Sequence, residues 1–142
     1  MHPFEDLVVP ENSVGNHWFG QSSFALKDPK GTIVQVDPYF PRERPADRFI
    51  HARSPLHEAA LHTDWVLLTH NHRDHTCIES ITRIRAAYPE VRLVGPQESV
   101  QSLLEAGVPD AQATVVKAGD PAKMGALRAH AVWAKPPDGL PA

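Results

Sequence analysis

Apolar and polar positions along this chain change period several times, and each change marks an element. Residues 18–26 place Trp18, Phe19, Phe24, Ala25 and Leu26 around the small polar group Gly20-Gln21-Ser22-Ser23, and read as one strand interrupted in its middle. Asp28-Pro29-Lys30-Gly31 is a turn signal with Gly31 at positive φ, and Thr32-Ile33-Val34-Gln35-Val36 is the returning strand of a hairpin. Residues 41–60 are rich in Pro, Arg and His and carry no period. A long loop is expected there, and in a compact domain such a loop is more often functional than idle. Trp65-Val66-Leu67-Leu68 is a short unbroken apolar run, the pattern of a strand buried on both faces.

After residue 76 the period lengthens to three and four. Ile78, Ile81, Ile84 and Tyr88 predict a helix over about 76–88, opened by the capping-box pattern Thr76-x-x-Glu79 and closed by Pro89. Val91-Arg92-Leu93-Val94 is a further strand. A second helix is expected over about 97–106, with Val100, Leu103 and Leu104 on its buried face and Gly107 as its stop. Two last strands are read over 113–117 and 127–133, separated by Gly119-Asp120-Pro121. Two antiparallel strands, then strand–helix–strand–helix–strand, then a final strand define an α/β layer structure. In such structures ligands collect beyond the carboxyl ends of the parallel strands. There are no internal repeats.

Composition narrows the picture. A chain of 142 residues fits one domain, and 42% hydrophobic with 22% charged residues is an ordinary globular balance. The formal charge of -3, with arginines scattered and no aromatic-basic interleaving, argues against nucleic acid as a partner. No apolar run approaches the roughly 18–20 residues that cross a bilayer, so no membrane association is expected. Met1-His2-Pro3-Phe4-Glu5-Asp6 has neither the basic nor the apolar region of a secretory leader. The single cysteine, Cys77, rules out an intrachain disulfide and fits a reducing compartment, so a cytoplasmic location is expected. The 14 prolines are unevenly placed, and Pro136, Pro137 and Pro141 make residues 134–142 a loop-like tail after an apolar strand.

Histidine supplies 9 residues, three of them in Thr69-His70-Asn71-His72-Arg73-Asp74-His75-Thr76, directly after the strand at 65–68. In an extended segment His70 and His72 point the same way and Asn71 the opposite way. Asp74 and His75 follow at the turn into the helix, where their side chains face the same cavity from another position. Imidazole and carboxylate donors together favour zinc, manganese or iron over calcium. The spacing suits one ion on His70 and His72 and a second on Asp74 and His75. Two such ions would acidify a shared water, with Asp74 also able to orient it as a base.

This segment, Leu67-Leu68-Thr69-His70-Asn71-His72-Arg73-Asp74-His75, resembles the signature of the metallo-β-lactamase fold hydrolases. Within them the chain is most similar to the L-ascorbate-6-phosphate lactonase-like branch. Trp18-Phe19-Gly20-Gln21-Ser22-Ser23-Phe24 with Val36-Asp37-Pro38, then Val94-Gly95-Pro96, then Gly107-Val108-Pro109 leading to Val115-Val116-Lys117-Ala118-Gly119-Asp120, carry the likeness in order over about residues 17–133. The resemblance implies a metallo-β-lactamase-like αββα sandwich of which the chain holds the N-terminal αβ half, as a single domain over 1–142. It implies a hydrolase of lactones, phosphodiesters or amides that uses zinc or manganese, with Asp37 as a buried carboxylate supporting the ligand histidines. From the sequence alone, a strand-end turn residue before proline is an equal reading of Asp37.

The resemblance also shows what the chain lacks. A complete site of this family takes a later histidine, a bridging aspartate and a final histidine, whereas only His130 follows His75 here. In the strand at 127–133 it alternates with Arg128 and Val132, so its facing is ambiguous. Three alternatives stand open. The chain is part of a longer enzyme, it pairs with itself or with a separate half, or it is a degenerate metal-binding or interaction domain. A half-sandwich leaves one apolar sheet face uncovered, which predicts association as a homo-oligomer or with a missing C-terminal half. The substrate expected is a small molecule, and Arg42, Arg44, Arg48 and Arg53 in the long loop suit an anionic one.

Overall fold

The computed structural model describes residues 1–133. Six strands form one sheet in the order β1 to β6: β1 (Gly15–Gly20), β2 (Ser23–Lys27), β3 (Ile33–Val36), β4 (Trp65–Leu67), β5 (Arg92–Gly95) and β6 (Ala113–Val115). The first three strands are antiparallel, and β3 to β6 are parallel. Helix α1 (Ile78–Ala87) joins β4 to β5, and α2 (Gln97–Glu105) joins β5 to β6. The expected α/β order therefore holds, and the His-rich segment leaves the carboxyl end of β4 as predicted. The tail predicted over 134–142 lies outside the described residues.

The N-terminal strand differs from the sequence reading. Residues 18–26 are not one interrupted strand but the end of β1 and most of β2, folded on each other with Gly20 opposite Ser23. The reversal runs through Gln21-Ser22, with Gln21 at φ 47°, and follows an irregularity in the β1–β2 register at whose end Gly20 takes φ 105°. Nothing in Gln21-Ser22 signals this, since the usual Asn-Gly pair is absent. The hairpin expected next is present as β2–β3, running from Phe24 opposite Val36 to Lys27 opposite Ile33. Its turn is closed by Asp28 Oδ1, which accepts from Lys30 N and Thr32 N, with Gly31 at φ 93°.

Both helices lie on one sheet face. Val66 and Leu68 on the β4 side, Leu93 on β5, Ile81 and Ile84 on α1 and Leu103 on α2 form one buried cluster with Val91 and Val108. Each such side chain contributes about 1.5–3 kcal/mol on full burial. Helix α2 ends as the sequence predicts. Gly107 at φ 88° donates to Leu104 O and Val108 to Leu103 O, satisfying two terminal carbonyls. Leu104, expected on the buried face, is only half-buried, and the buried positions are Ser99, Val100 and Leu103. The capping box at Thr76 does not form. Cys77 is the residue at the helix start, and Thr76 Oγ1 instead donates to His70 O at 2.8 Å. Glu79 is taken by Arg83 one turn along.

The long loop is partly core. Its Leu56, with Phe40 and Leu61 just outside its two ends, packs with Phe4, Phe19, Ala25 and Ile33 on the helix side of the antiparallel strands. Arg83 ties it to α1 through Glu58 and the Phe40 carbonyl.

The opposite sheet face is less bare than expected. The last strand read from the sequence is present as β8 (Leu127–His130), and it pairs with β7 (Pro121–Met124), which the sequence reading missed, in a second two-stranded sheet. Its Ala122, Met124, Leu127 and Ala129 pack on Leu26, Val34, Trp65, Leu67 and Val94. Beyond its reach Trp18 remains 63% exposed, so only part of the predicted apolar surface persists.

Candidate metal centre

Asp37 ends β3 and organises the region below the histidines. It is 2% exposed and holds φ 44°, a left-handed conformation that Asp tolerates better than most residues. Its own main chain is fixed at both groups, N–H to Leu67 O at 3.0 Å and C=O from Ser23 Oγ at 2.7 Å. The carboxylate accepts from Thr69 N at 2.8 Å, from Thr69 Oγ1 at 2.6 Å and from His75 Nδ1 at 2.7 Å. A buried carboxylate is tolerated here because every bond it accepts is made.

Above it the chain bends. His75 N and Thr76 N both donate to His72 O, at 3.0 and 2.7 Å, so the segment from His72 is a turn and not an extended strand. The three imidazoles then form one cluster with His70 in the middle. Ring centroids are 4.5 Å apart for His70 and His72 and 3.8 Å for His70 and His75. His70 Nε2 lies 3.0 Å from His72 Nδ1, and Asp74 Oδ2 3.7 Å from His75 Nε2. Burial, then the neighbouring His75 and His72, lower the pKa of His70 below the ordinary imidazole value, against a smaller opposing pull from Asp37 and Asp74. His70 is thus neutral at neutral pH, the form that binds metals. Asn71 turns away toward α2, where its Oδ1 accepts from Ser102 Oγ at 3.1 Å.

The donors suit a divalent transition metal in kind. Two nitrogens bound to one ion at about 2.0–2.1 Å stand roughly 2.9–3.4 Å apart, and the His70–His72 separation of 3.0 Å falls in that range. A full shell is not assembled. Among the described residues no group of three or more His, Cys, Asp or Glu side chains is placed to hold one ion. His70 Nε2 and His72 Nδ1 face each other, while His75 Nδ1 is turned to Asp37.

A groove of about 1070 Å³ opens beside His70 and His72, bounded by Pro96 and Gln97 at the start of α2, Lys117 after β6, and Ala129 to Trp133. His130 stands exposed on its rim, sharing the outward side of β8 with Arg128 while Ala129 packs inward. It joins no metal-holding group among the described residues. None of Arg42, Arg44, Arg48 or Arg53 lines this groove. Arg44 instead lies over the Phe49 ring at 4.1 Å and donates from Nε to His51 O. Sequence reasoning gave no role to Thr69 or Ser99. Ser99 sits under the turn, 2.9 Å from Thr76 Oγ1. Neither has a spacing signal, because the Asp37 that anchors Thr69 is 32 positions away and Ser99 is 23 positions from Thr76.

The mixed sheet, with both helices on one face and the histidine turn at the carboxyl end of β4, is an α/β architecture. The chain belongs to the beta-lactamase superfamily domain family, whose model matches residues 17–140. Among solved structures it is similar to a proposed metal-dependent hydrolase from Parabacteroides distasonis, at 19% identity and TM-score 0.53 over 77% of this chain and 40% of that one. It is also similar to Igni18, a metallo hydrolase from the hyperthermophilic archaeon Ignicoccus hospitalis, at 24% identity and TM-score 0.54 over 78% of this chain and 42% of that one. The matched chain thus spans about two fifths of the length of these structures. No curated protein sequence matches it.

Proposed function

We propose that the chain supplies the first part of a metal-dependent hydrolase centre. The observation that carries this reading is the convergence of His70, His72 and His75 above the buried Asp37 at the end of β4. His70 and His72 would hold one divalent ion, zinc or manganese, and Asp74 and His75 a second. Bound metal supplies Lewis acidity and a hydroxide nucleophile near neutral pH. Asp37 would keep His75 oriented through Nδ1, and the half-exposed Asp74 would accept a proton from water. The remaining ligands come from polypeptide outside the described residues. The substrate is a small lactone or phosphoester, anionic in keeping with the lactonase-like branch, and the compartment is the cytoplasm.

Metal analysis of the purified protein tests this directly. About one to two zinc or manganese ions per chain are expected, lost in His70→Ala and His72→Ala, with turnover of generic lactone or phosphodiester substrates once the missing ligands are supplied. A protein that takes up no such metal at stoichiometric level would sink the reading.

One observation favours a second reading, a non-catalytic interaction domain. Val132 and Trp133 stand 81% and 82% exposed beside the groove. Such a domain would form an oligomer that survives chelator and shows no turnover. Size-exclusion chromatography with and without chelator separates the two.

A further inference from the structure

The hydroxyl of Thr69 occupies the centre of the bonds behind the imidazoles. Its Oγ1 lies 2.6 Å from Asp37 Oδ2, 2.9 Å from His70 Nδ1 and 3.4 Å from His75 Nδ1. A hydroxyl has one proton to give and lone pairs to receive, and a carboxylate only accepts. The Thr69 proton therefore goes to Asp37, and a lone pair is left facing His70 Nδ1. At 2.9 Å that contact is attractive only if His70 carries its hydrogen on Nδ1.

We infer that Thr69 is a positioning residue that sets the tautomer of His70. Through Thr69, Asp37 holds His70 with Nδ1–H inward and the Nε2 lone pair turned outward. His75 receives the same instruction directly, with its Nδ1 2.7 Å from Asp37 Oδ2. One buried carboxylate thus orients two imidazoles, and the hydrogen bond on one ring nitrogen decides which nitrogen is the ligand. His72 is the follower. With His70 Nε2 an acceptor, His72 Nδ1 at 3.0 Å is the donor. A metal seated on both rings would need that proton moved to His72 Nε2 or the ring turned.

The purpose of this relay rests on the metal-centre reading above, but its geometry does not. Thr69 is exposed, and its main-chain N–H stays bonded to Asp37 Oδ1 whatever the side chain, so removing the hydroxyl leaves the fold's anchor in place.

Long-range proton–nitrogen correlation spectra of the imidazoles test it in the full chain, free of metal, at neutral pH. Wild type and Thr69→Ser should show His70 protonated on Nδ1. Thr69→Val should shift it to Nε2–H while His75 is unchanged. Zinc affinity by competition titration should fall about 10- to 100-fold in Thr69→Val and recover in Thr69→Ser. A His70 protonated on Nε2 in wild type overturns the inference, as does an unaltered tautomer or unaltered zinc affinity in Thr69→Val. If the valine variant fails to fold, the wild-type and serine spectra decide alone. Because the spectra need neither metal nor substrate, an inactive protein with the expected tautomers removes only the hydrolase reading.

Discussion

At the scale of single residues, what could be read from the sequence was what lies close together along it. His70, His72, Asp74 and His75 stand out because their chemistry is concentrated in six positions. The groups that orient them lie elsewhere in sequence. Asp37 is 38 positions from His75 and reaches it only because β3 and β4 are adjacent parallel strands. That juxtaposition has no local signal, which is why a turn residue before Pro38 was an equal reading. Replacing Asp37 by Asn tests its weight. An amide cannot accept at both oxygen positions, so a donor would face either Thr69 N or the pair Thr69 Oγ1 and His75 Nδ1. The loss of charge-assisted bonds should cost about 1.5–3 kcal/mol of stability, read from urea unfolding of metal-free protein. A variant as stable as wild type would mean that the buried carboxylate is not a structural anchor.

Among elements, periodicity located both helices and the buried strands, since an amphipathic helix needs its apolar residues at three- and four-residue spacing and no tertiary contact is required to see it. It failed where backbone conformation or a competing bond decided. The β1–β2 turn rests on positive φ at Gln21, and Thr76 gives its hydroxyl to His70 O in place of the helix start. Strand β7 escaped because four residues beginning with Pro121 carry only Ala122 and Met124 as inward positions. Two glycines separate backbone cost from crowding. At Gly107 a Cβ would meet nothing within 4 Å, so Gly107→Ala should lose only the left-handed preference, about 1 kcal/mol. At Gly125, also at positive φ, a Cβ would overlap Thr32 Oγ1 and stand 2.8 Å from Asp28 Oδ2. Gly125→Ala should therefore cost more, about 2–4 kcal/mol, or undock the hairpin. Equal midpoints for the two variants in thermal melts would contradict this division.

For the molecule as a whole, the question is what keeps the second sheet face covered, and the sequence could not show it because the cover is a hairpin closed by a contact between residues 28 and 126. Asp28 is 1% exposed, and its Oδ2 accepts from Ala126 N at 2.8 Å while Oδ1 closes the β2–β3 turn. One carboxylate thus fastens the β7–β8 turn to the body of the sheet. Burial opposes its charge, but the bonds from Ala126, Thr32 and Lys30 outweigh burial and hold its pKa below the ordinary carboxylate value. A folded pKa below the unfolded one means that the contribution is complete above the unfolded value of about 4 and fades as pH falls through the folded value. Acidification below about pH 4 should therefore release the hairpin and expose Val34, Leu67 and Val94, seen as lower amide protection factors in β7 and β8 and increased binding of a hydrophobic dye. Asp28→Asn should show the released behaviour already at neutral pH, because its amide would set a donor against the Ala126 N–H. If the hairpin's protection factors in wild type do not fall on acidification, or the Asn variant matches wild type at pH 7, the latch is not Asp28, and apolar packing alone holds the hairpin on this face.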